Sequence, residues 1–434
     1  MNYTAKGSPL KGLTGATLGF FFGFAAVALF GPTAKKLQVI MGISPAQVGL
    51  LVAIPALSGS LLRIPFSAWV DKDGGRKPFM VLLLLALTGM VGLSALFLTR
   101  YPDNMTAELY PLILFFGFLS GCGIATFSVG ISQVAYWFPQ KKQGWALGTF
   151  GGLGNLAPGI FSFLLPLALS VMSLPAAYVV WSLILLTGVC VYWFTAFNAP
   201  YFQALSQGAS AEDAKGFAAD LYSEASQKQE LFPSGGVVYT LVKSASNPYT
   251  WMLVLLYFVT FGGFIALTAW FPTFWQSLYG FSVTAAGFLT AFYAVLTSLF
   301  RVPGGSFADK IGGTAASLIS VAVLGAGSVI VVFTGNFALT VFGIMIMAIG
   351  MGVNNAAVFK LVPKYIPEAI GGAAGWVGGL GAFGGFVLPP VLASYVGRNG
   401  DAGYRQGFMV YTLMAALSVL LIFFLKRSEK RGGR

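Results

Sequence analysis

Run after run of about 20 apolar residues limits what this chain of 434 residues can become. A helix of that length crosses a hydrocarbon layer roughly 30 Å thick. Twelve such runs occur, near residues 13–30, 47–70, 79–98, 109–137, 144–169, 176–197, 250–277, 284–308, 314–334, 338–359, 371–396 and 404–425. The composition agrees, with 57% apolar and 9% charged residues against roughly 45–50% and about 25% in soluble domains. The chain therefore reads as an all-α membrane protein of twelve transmembrane helices with no soluble domain. The longest gap, 198–248, is polar and carries "LFPSGG" towards its end. It reads as a cytoplasmic linker with one surface helix near 211–229, between six-helix halves 1–197 and 249–434.

Lys and Arg set the expected orientation. With the N-terminus inside, eighteen basic residues fall on the cytoplasmic side and five (Lys35, Lys36, Arg100, Arg398 and Arg405) fall outside. Both termini are expected in the cytoplasm, so the formal charge of +12 reports topology and requires no nucleic-acid partner. The first run is too long for a cleaved signal peptide and lacks a clean small-residue site behind it. Cys122 and Cys190 lie inside expected helices and read as packing residues, not as a disulfide or metal pair.

Two of the 25 basic residues belong to neither side, Arg63 and Arg301. "LRIPFSAWVDKDGG" and "FRVPGGSFADKIGG" share Arg, an aliphatic residue and Pro, and place Asp-Lys eight residues after the Arg, ahead of Gly-Gly. A second pair, "GWALGTFGGLGNLAPG" and "GGAAGWVGGLGAFGGF", matches Gly144, Gly148, Gly151, Gly152 and Gly154 with Gly371, Gly375, Gly378, Gly379 and Gly381. Helices 2 and 8 are thus equivalent, as are helices 5 and 11, and the chain is two homologous halves.

Such repeats joined by a long linker are the architecture of the major facilitator superfamily, whose site lies near the membrane midplane between the halves. The Asp-Lys-x-Gly-Gly ends resemble that superfamily's loop motif, with Ser67 where Gly is usual. The resemblance makes Asp71, Arg76 and Asp309 parts of a conformational latch at the helix ends. It bears on the fold and says nothing of a substrate.

All thirteen acids fall in loops or at helix ends, and there is no histidine. An arginine at a helix centre costs about 2.5–3.5 kcal/mol on insertion scales and normally faces a cavity or counter-ion. A competing reading has Arg63 snorkelling, since Asp71 is only roughly 12 Å away by helix rise; recurrence of the pattern at Arg301 weighs against it. Two arginines facing one another across a pore leave the substrate as their counter-ion. The guanidinium fork suits a planar anion such as carboxylate, nitrate or nitrite. Glycines at every fourth position give helices 5 and 11 smooth stripes, either for ordinary close packing or for a narrow pore between sliding helices. Asn155 reads as an amide donor to the anion or as the cap of a turn broken near Pro158.

"GGLGNLAPG" on helix 5 and "GGLGAFGG" on helix 11 resemble the two signature segments of the nitrate/nitrite porter family, and Arg63 and Arg301 match its paired substrate arginines. The resemblance covers essentially the whole chain. It implies a substrate site of Arg63, Arg301, Asn155, Tyr257, Phe127 and Phe261, with a helix 1 ring for which Phe24 is chosen from "FFFGFAAVALF"; Ala382 replaces Asn155 in the second copy. It further implies a monomer in the bacterial inner membrane, without cofactor or metal, carrying nitrate and nitrite by alternating access.

On coupling, "GFAAVALFGPTAKK" and "GCGIATFSVGISQVAYWFPQ" look most like the proton-linked importers of that family, so uptake with a proton, through Tyr257 or water, is expected. Nitrate/nitrite exchange is the alternative, favoured by the lack of a buried acid. Formate or oxalate would fit the arginines equally well. Neither a phosphate-binding GxxxxGK[ST] loop nor a nucleophile with its base occurs, so neither an ATP-driven pump nor an enzyme is expected.

Overall fold

The computed structural model describes residues 3–25, 30–43, 45–221, 229–233 and 236–432, and every regular element among them is helical. Nine helices among these residues are long and apolar enough to cross a membrane, and they are the expected helices 3, 4, 6 and 7 to 12. Of the other three runs, two are divided and one extends over residues outside the described set. Helix 1 is described over Pro9–Ala25, and residues Phe30–Met41, on the other side of four residues outside the described set, are also helical. Helix 2 is Pro45–Leu61 and Arg63–Asp73, and helix 5 is Gln140–Gly154 and Leu156–Val171. Helix 8 is likewise Val283–Leu299 and Arg301–Ile311.

Proline accounts for these interruptions, because it has no N–H and its ring crowds the carbonyl four residues back. Pro65 leaves the Leu61 carbonyl without its helical donor, Pro303 does so to Leu299, and Pro158 to Gly154. In helices 2 and 8 the interruption therefore falls on the residue just before the arginine, at Leu62 and Phe300.

The segment 198–248 holds more structure than the single surface helix expected there. It contains Pro200–Ser206, Ala211–Asp220 and Val237–Ala245. The expected surface helix begins where Ser210 accepts a hydrogen bond from the Asp213 N–H at 3.1 Å, with Glu212 and Asp213 in the positive first turn. It ends at Asp220, ahead of the expected boundary near 229; residues 222–228 lie outside the described set.

The glycine stripes are the seams between the halves. Helix 5 lies along the second part of helix 8, and helix 11 (Ile370–Ala382 and Gly384–Asn399) along the second part of helix 2. A Cβ on Gly148 would stand 2.5 Å from the Arg301 carbonyl oxygen, and one on Gly152 would stand 2.8 Å from that of Ser298. On the other seam, a Cβ on Gly375 would stand 2.8 Å from the Ile64 carbonyl oxygen. The every-fourth spacing is therefore backbone-to-backbone packing across the halves, the first of the two readings the sequence allowed. Alanine at 148 or 375 must push two helices apart, and overpacking of this kind costs about 1–3 kcal/mol. Gly148→Ala and Gly375→Ala are expected to lower the melting temperature of the purified protein, whereas Gly287→Ala, where a Cβ would meet nothing within 4 Å, should not. Equal melting of all three would contradict the seam.

Candidate functional site

The helix interruptions deliver both arginines to one place, fully buried. The Arg63 guanidinium donates from Nη1 to the Gly378 carbonyl of helix 11 at 2.8 Å and from Nη2 to the Ile124 carbonyl of helix 4 at 3.4 Å. Arg301 has one long hydrogen bond, from Nη2 to the Tyr257 hydroxyl at 3.5 Å. Among the described residues neither arginine pairs with a carboxylate. Arg63 Nε and Arg301 Nε and Nη1 are buried donors without a partner. Each such donor, unpartnered among the described residues, costs about 1–3 kcal/mol.

Aromatic rings hold the two cations in register. The Arg63 Cζ lies 5.0 Å from the Phe127 ring centroid and 5.4 Å from that of Phe261; the Arg301 Cζ lies at 5.2 and 5.5 Å. All four contacts are within cation–π range, worth about 2 kcal/mol each when desolvated. The Phe127 and Phe261 rings are nearly parallel, 10° apart in tilt with centroids separated by 5.6 Å, and Tyr257 stacks on Phe261 at 4.8 Å. Phe359 of helix 10 (Phe337–Tyr365) closes the cluster edge-on, 4.7 Å from Tyr257.

Helix 7 presents its rings through a π-turn. Pro248–Tyr257 runs into a π-helical segment, Phe258–Gly262, before Gly263–Tyr279 continues as α-helix. Such single wide turns are rare and concentrate at functional sites. Gly262 makes room for it, since a Cβ there would stand 2.7 Å from the Gly384 Cα of helix 11. The Thr260 hydroxyl within the turn donates to the Leu256 carbonyl and accepts from Asn354 Nδ2 of helix 10 at 3.2 Å.

The signature glycines off the seams shape this cluster. A Cβ on Gly151 would stand 2.7 Å from Arg301 Nη2, one on Gly381 would stand 2.6 Å from Tyr257, and one on Gly154 would run into Phe20. Asn155 sits at the break of helix 5 and donates from Nδ2 to the Gly151 carbonyl at 2.6 Å, leaving Oδ1 buried without a partner. Its donor is thus used as a cap, the second of the roles open to it. The helix 1 ring against Phe127 is Phe20, with centroids 5.3 Å apart, whereas Phe24 stacks behind it on Phe20 at 5.4 Å. Nothing among forty phenylalanines distinguished Phe20, although Gly154 is the vacancy that admits it. Phe359, Asn354 and Thr260 were also missed; for Asn354, the "NN" inside the apolar helix 10 was a usable signal.

At the end of the bundle where helices 2 and 8 finish, each latch aspartate accepts from backbone N–H groups of a helix of the opposite half. Asp71 accepts from the Gly371 N–H at 3.0 Å and the Gly372 N–H at 3.3 Å, at the start of helix 11, and from the Tyr136 hydroxyl at 2.6 Å. Asp309 accepts from the Gly144 and Trp145 N–H groups at 3.0 and 2.7 Å, in the first turns of helix 5, and pairs with Lys360. Gly371 and Gly372 are the second and third residues of Ile370–Ala382, among the N–H groups a helix leaves unpaired at its positive end, whereas Gly144 and Trp145 are the fifth and sixth of Gln140–Gly154, beyond that set. Arg76 takes no part in these contacts. It donates to the Trp193 carbonyl at 2.9 Å and lies over the Trp193 ring, tying helix 3 (Arg76–Arg100) to helix 6 (Leu174–Thr195) within one half.

Comparison with known proteins follows the same lines. A Major Facilitator Superfamily model matches residues 16–389 and 279–434. The chain is 30% identical over 426 residues to a probable nitrate/nitrite antiporter, NarK1, of Thermus thermophilus, covering 93% of this chain and 89% of that protein. It is 28% identical to a nitrite extrusion protein of Bacillus subtilis (strain 168), covering 95% and 94%. Among solved structures, the proton:xylose symporter XylE bound to 6-bromo-6-deoxy-D-glucose superposes with a TM-score of 0.74 at 15% identity, covering 96% and 95% of the two chains. The E. coli fucose:proton symporter FucP gives 0.69 at 15% identity, covering 95% and 98%. These two likenesses speak for the fold alone. With the sequence relatives, the repeated arginines and the helical architecture in agreement, the chain belongs to the nitrate/nitrite porter family of the Major Facilitator Superfamily.

Proposed function

We propose that this integral membrane protein carries nitrate and nitrite across the bacterial inner membrane by alternating access of its halves, 1–197 and 249–434, with both termini and the linker 198–248 in the cytoplasm. The observation that carries this reading is the meeting of two buried guanidiniums, from equivalent positions of the two halves, on one pair of parallel rings without a carboxylate among the described residues. The anion completes the charge balance. Its oxygens accept from the unfilled donors at Arg63 Nε and Arg301 Nε and Nη1. At an effective dielectric near 20, each contact at about 4 Å contributes roughly 4 kcal/mol before desolvation.

The rings set a further condition. A planar anion lying flat between two rings needs about 3.5 Å on each side, or roughly 7 Å in all, and Phe127 and Phe261 stand 5.6 Å apart. Binding therefore parts helix 4 (Tyr110–Trp137) from the π-turn of helix 7. Release towards the latch requires the first turns of helices 5 and 11 to leave Asp309 and Asp71.

Coupling has two readings. The family resemblance points to uptake with a proton. The site favours exchange, because Tyr257 is the one proton-bearing side chain among the described hydrogen-bond partners of the arginines, and an unloaded passage moves two uncompensated charges. Proteoliposomes loaded with nitrite, with nitrate or with neither, with and without a pH gradient, separate them. Exchange predicts uptake of labelled nitrate that needs internal anion and ignores the gradient, and the reverse pattern establishes proton-linked uptake. Formate or oxalate competing as strongly as nitrite would shift the substrate assignment.

Lysine keeps the charge and loses the fork. Removing one charged hydrogen bond is worth about 1.5–3 kcal/mol, so Arg63→Lys and Arg301→Lys are each expected to reduce kcat/KM for nitrate by roughly 10- to 150-fold in protein that remains monodisperse. Wild-type kinetics in both would refute the two-fork site.

A further inference from the structure

The helix Val237–Ala245 is amphipathic the wrong way round. A helix packed on a water-soluble body buries its apolar stripe. Here the buried residues are Thr240 and Ser244, while Val238, Tyr239 and Val242 are 74%, 48% and 63% exposed. The inward polar face is packed tightly on the start of helix 11, where a Cβ on Gly372 would stand 2.6 Å from the Ser244 hydroxyl. Two indoles fasten the helix by its backbone: Trp376 Nε1 donates to the Leu241 carbonyl at 3.2 Å, and Trp251 Nε1 to the Ala245 carbonyl at 2.8 Å.

The outward apolar face continues into the flank of helix 7, where Trp251 and Leu255 are 42% and 45% exposed on a membrane-crossing helix. Beside it, a groove of about 420 Å³ runs between this helix and helix 2, lined by Pro65, Phe66, Trp69 and Val237 and edged by Lys72, Lys77 and Asp73, the last of which pairs with Lys77 and accepts from Trp69 Nε1. Lys243 is exposed on the helix itself. Tryptophans at the level of the headgroups, an apolar face continuous with the lipid-facing surface and a rim of lysines are the marks of a segment lying in a membrane interface, with the cations towards anionic lipid.

We propose that Val237–Ala245 lies flat on the bilayer surface, with Val238, Tyr239 and Val242 among the acyl chains and Lys72, Lys77 and Lys243 at the headgroups. It thereby braces the helix 11 turn that Asp71 caps. The same Gly372 whose N–H donates to Asp71 rests against Thr240 and Ser244, so the lipid contact backs the latch. This inference is independent of the transported anion.

The test places single cysteines at Val238, Val242 and, on the exposed face of Ala211–Asp220, Glu212. The full chain is used in a Cys190→Ser background, because Cys190 is exposed whereas Cys122 is buried. Nitroxide labels in nanodiscs are relaxed by oxygen, which concentrates in lipid, and by a water-soluble nickel chelate. The oxygen-to-nickel accessibility ratio is expected to be at least fivefold higher at 238 and 242 than at 212. Ratios equal to that at 212 would overturn the proposal, as would labels shielded from both reagents, which would mean that a protein surface covers this face. Hydrogen exchange supplies the second reading. In Val242→Asp the backbone amides of Gly371 and Gly372 should exchange at least threefold faster than in Val242→Leu, and unchanged exchange would overturn the bracing role.

Discussion

Two guanidinium charges buried in a hydrocarbon-embedded bundle are the constraint to which the rest of the molecule is fitted. Neither side chain has a carboxylate to pair with among the described residues, so other groups carry the stabilisation. Backbone carbonyls of Gly378 and Ile124 take two of the Arg63 donors. The faces of Phe127 and Phe261 receive both cations. The glycines at 151 and 378 are demanded by this arrangement, one to leave space for the Arg301 guanidinium and one to bring a carbonyl within reach of Arg63.

The duplication turns this into a reciprocal machine. Each half supplies an arginine to the shared ring pair, an aspartate to the other half's helix, and a glycine seam on which the other half's backbone lies. The seams and the latch aspartates sit on the same helices as the arginines, so the clamp and the closure cannot move independently. Helix 8 carries Arg301 at its break and Asp309 two turns on; helix 2 carries Arg63 and Asp71 in the same way. Motion of one such half-helix therefore displaces an arginine of the cluster and an aspartate of the latch together.

Much of this was legible in the sequence, for physical reasons that differ by element. Membrane helices announce themselves by length and hydropathy, and a charge at helical depth is conspicuous because it is costly; hence Arg63 and Arg301. The repeat made helix 2 equivalent to helix 8 and helix 5 to helix 11, and left open that helix 5 packs on helix 8 and helix 11 on helix 2. Packing identity was not legible. Phe20 outranks Phe24 because of where Gly154 leaves room, a relation between distant residues that no local pattern records. Arg76 was drawn into the latch by motif proximity, whereas its guanidinium reaches the Trp193 carbonyl on the far side of helix 3. Tyr136 and Lys360 complete the latch contacts from helices 4 and 10, and a tyrosine in an apolar run looks like packing until its hydroxyl is seen on a carboxylate. The π-turn of helix 7 depends on Gly262 and Gly384 meeting, again a tertiary fact.

The two latch contacts share a plan but not a chemistry. Each carboxylate takes two backbone N–H groups; the side chains that join them are the neutral hydroxyls of Tyr136 and Thr240 at Asp71 and the Lys360 ammonium at Asp309. Parting the first pair exposes one formal charge to water, and parting the second exposes two. A protein made of two copies of one fold would open evenly about its dyad if both fastenings were alike. With neutral hydroxyls at one strap and an ion pair at the other, the two fastenings differ in chemistry although the sequence around them repeats.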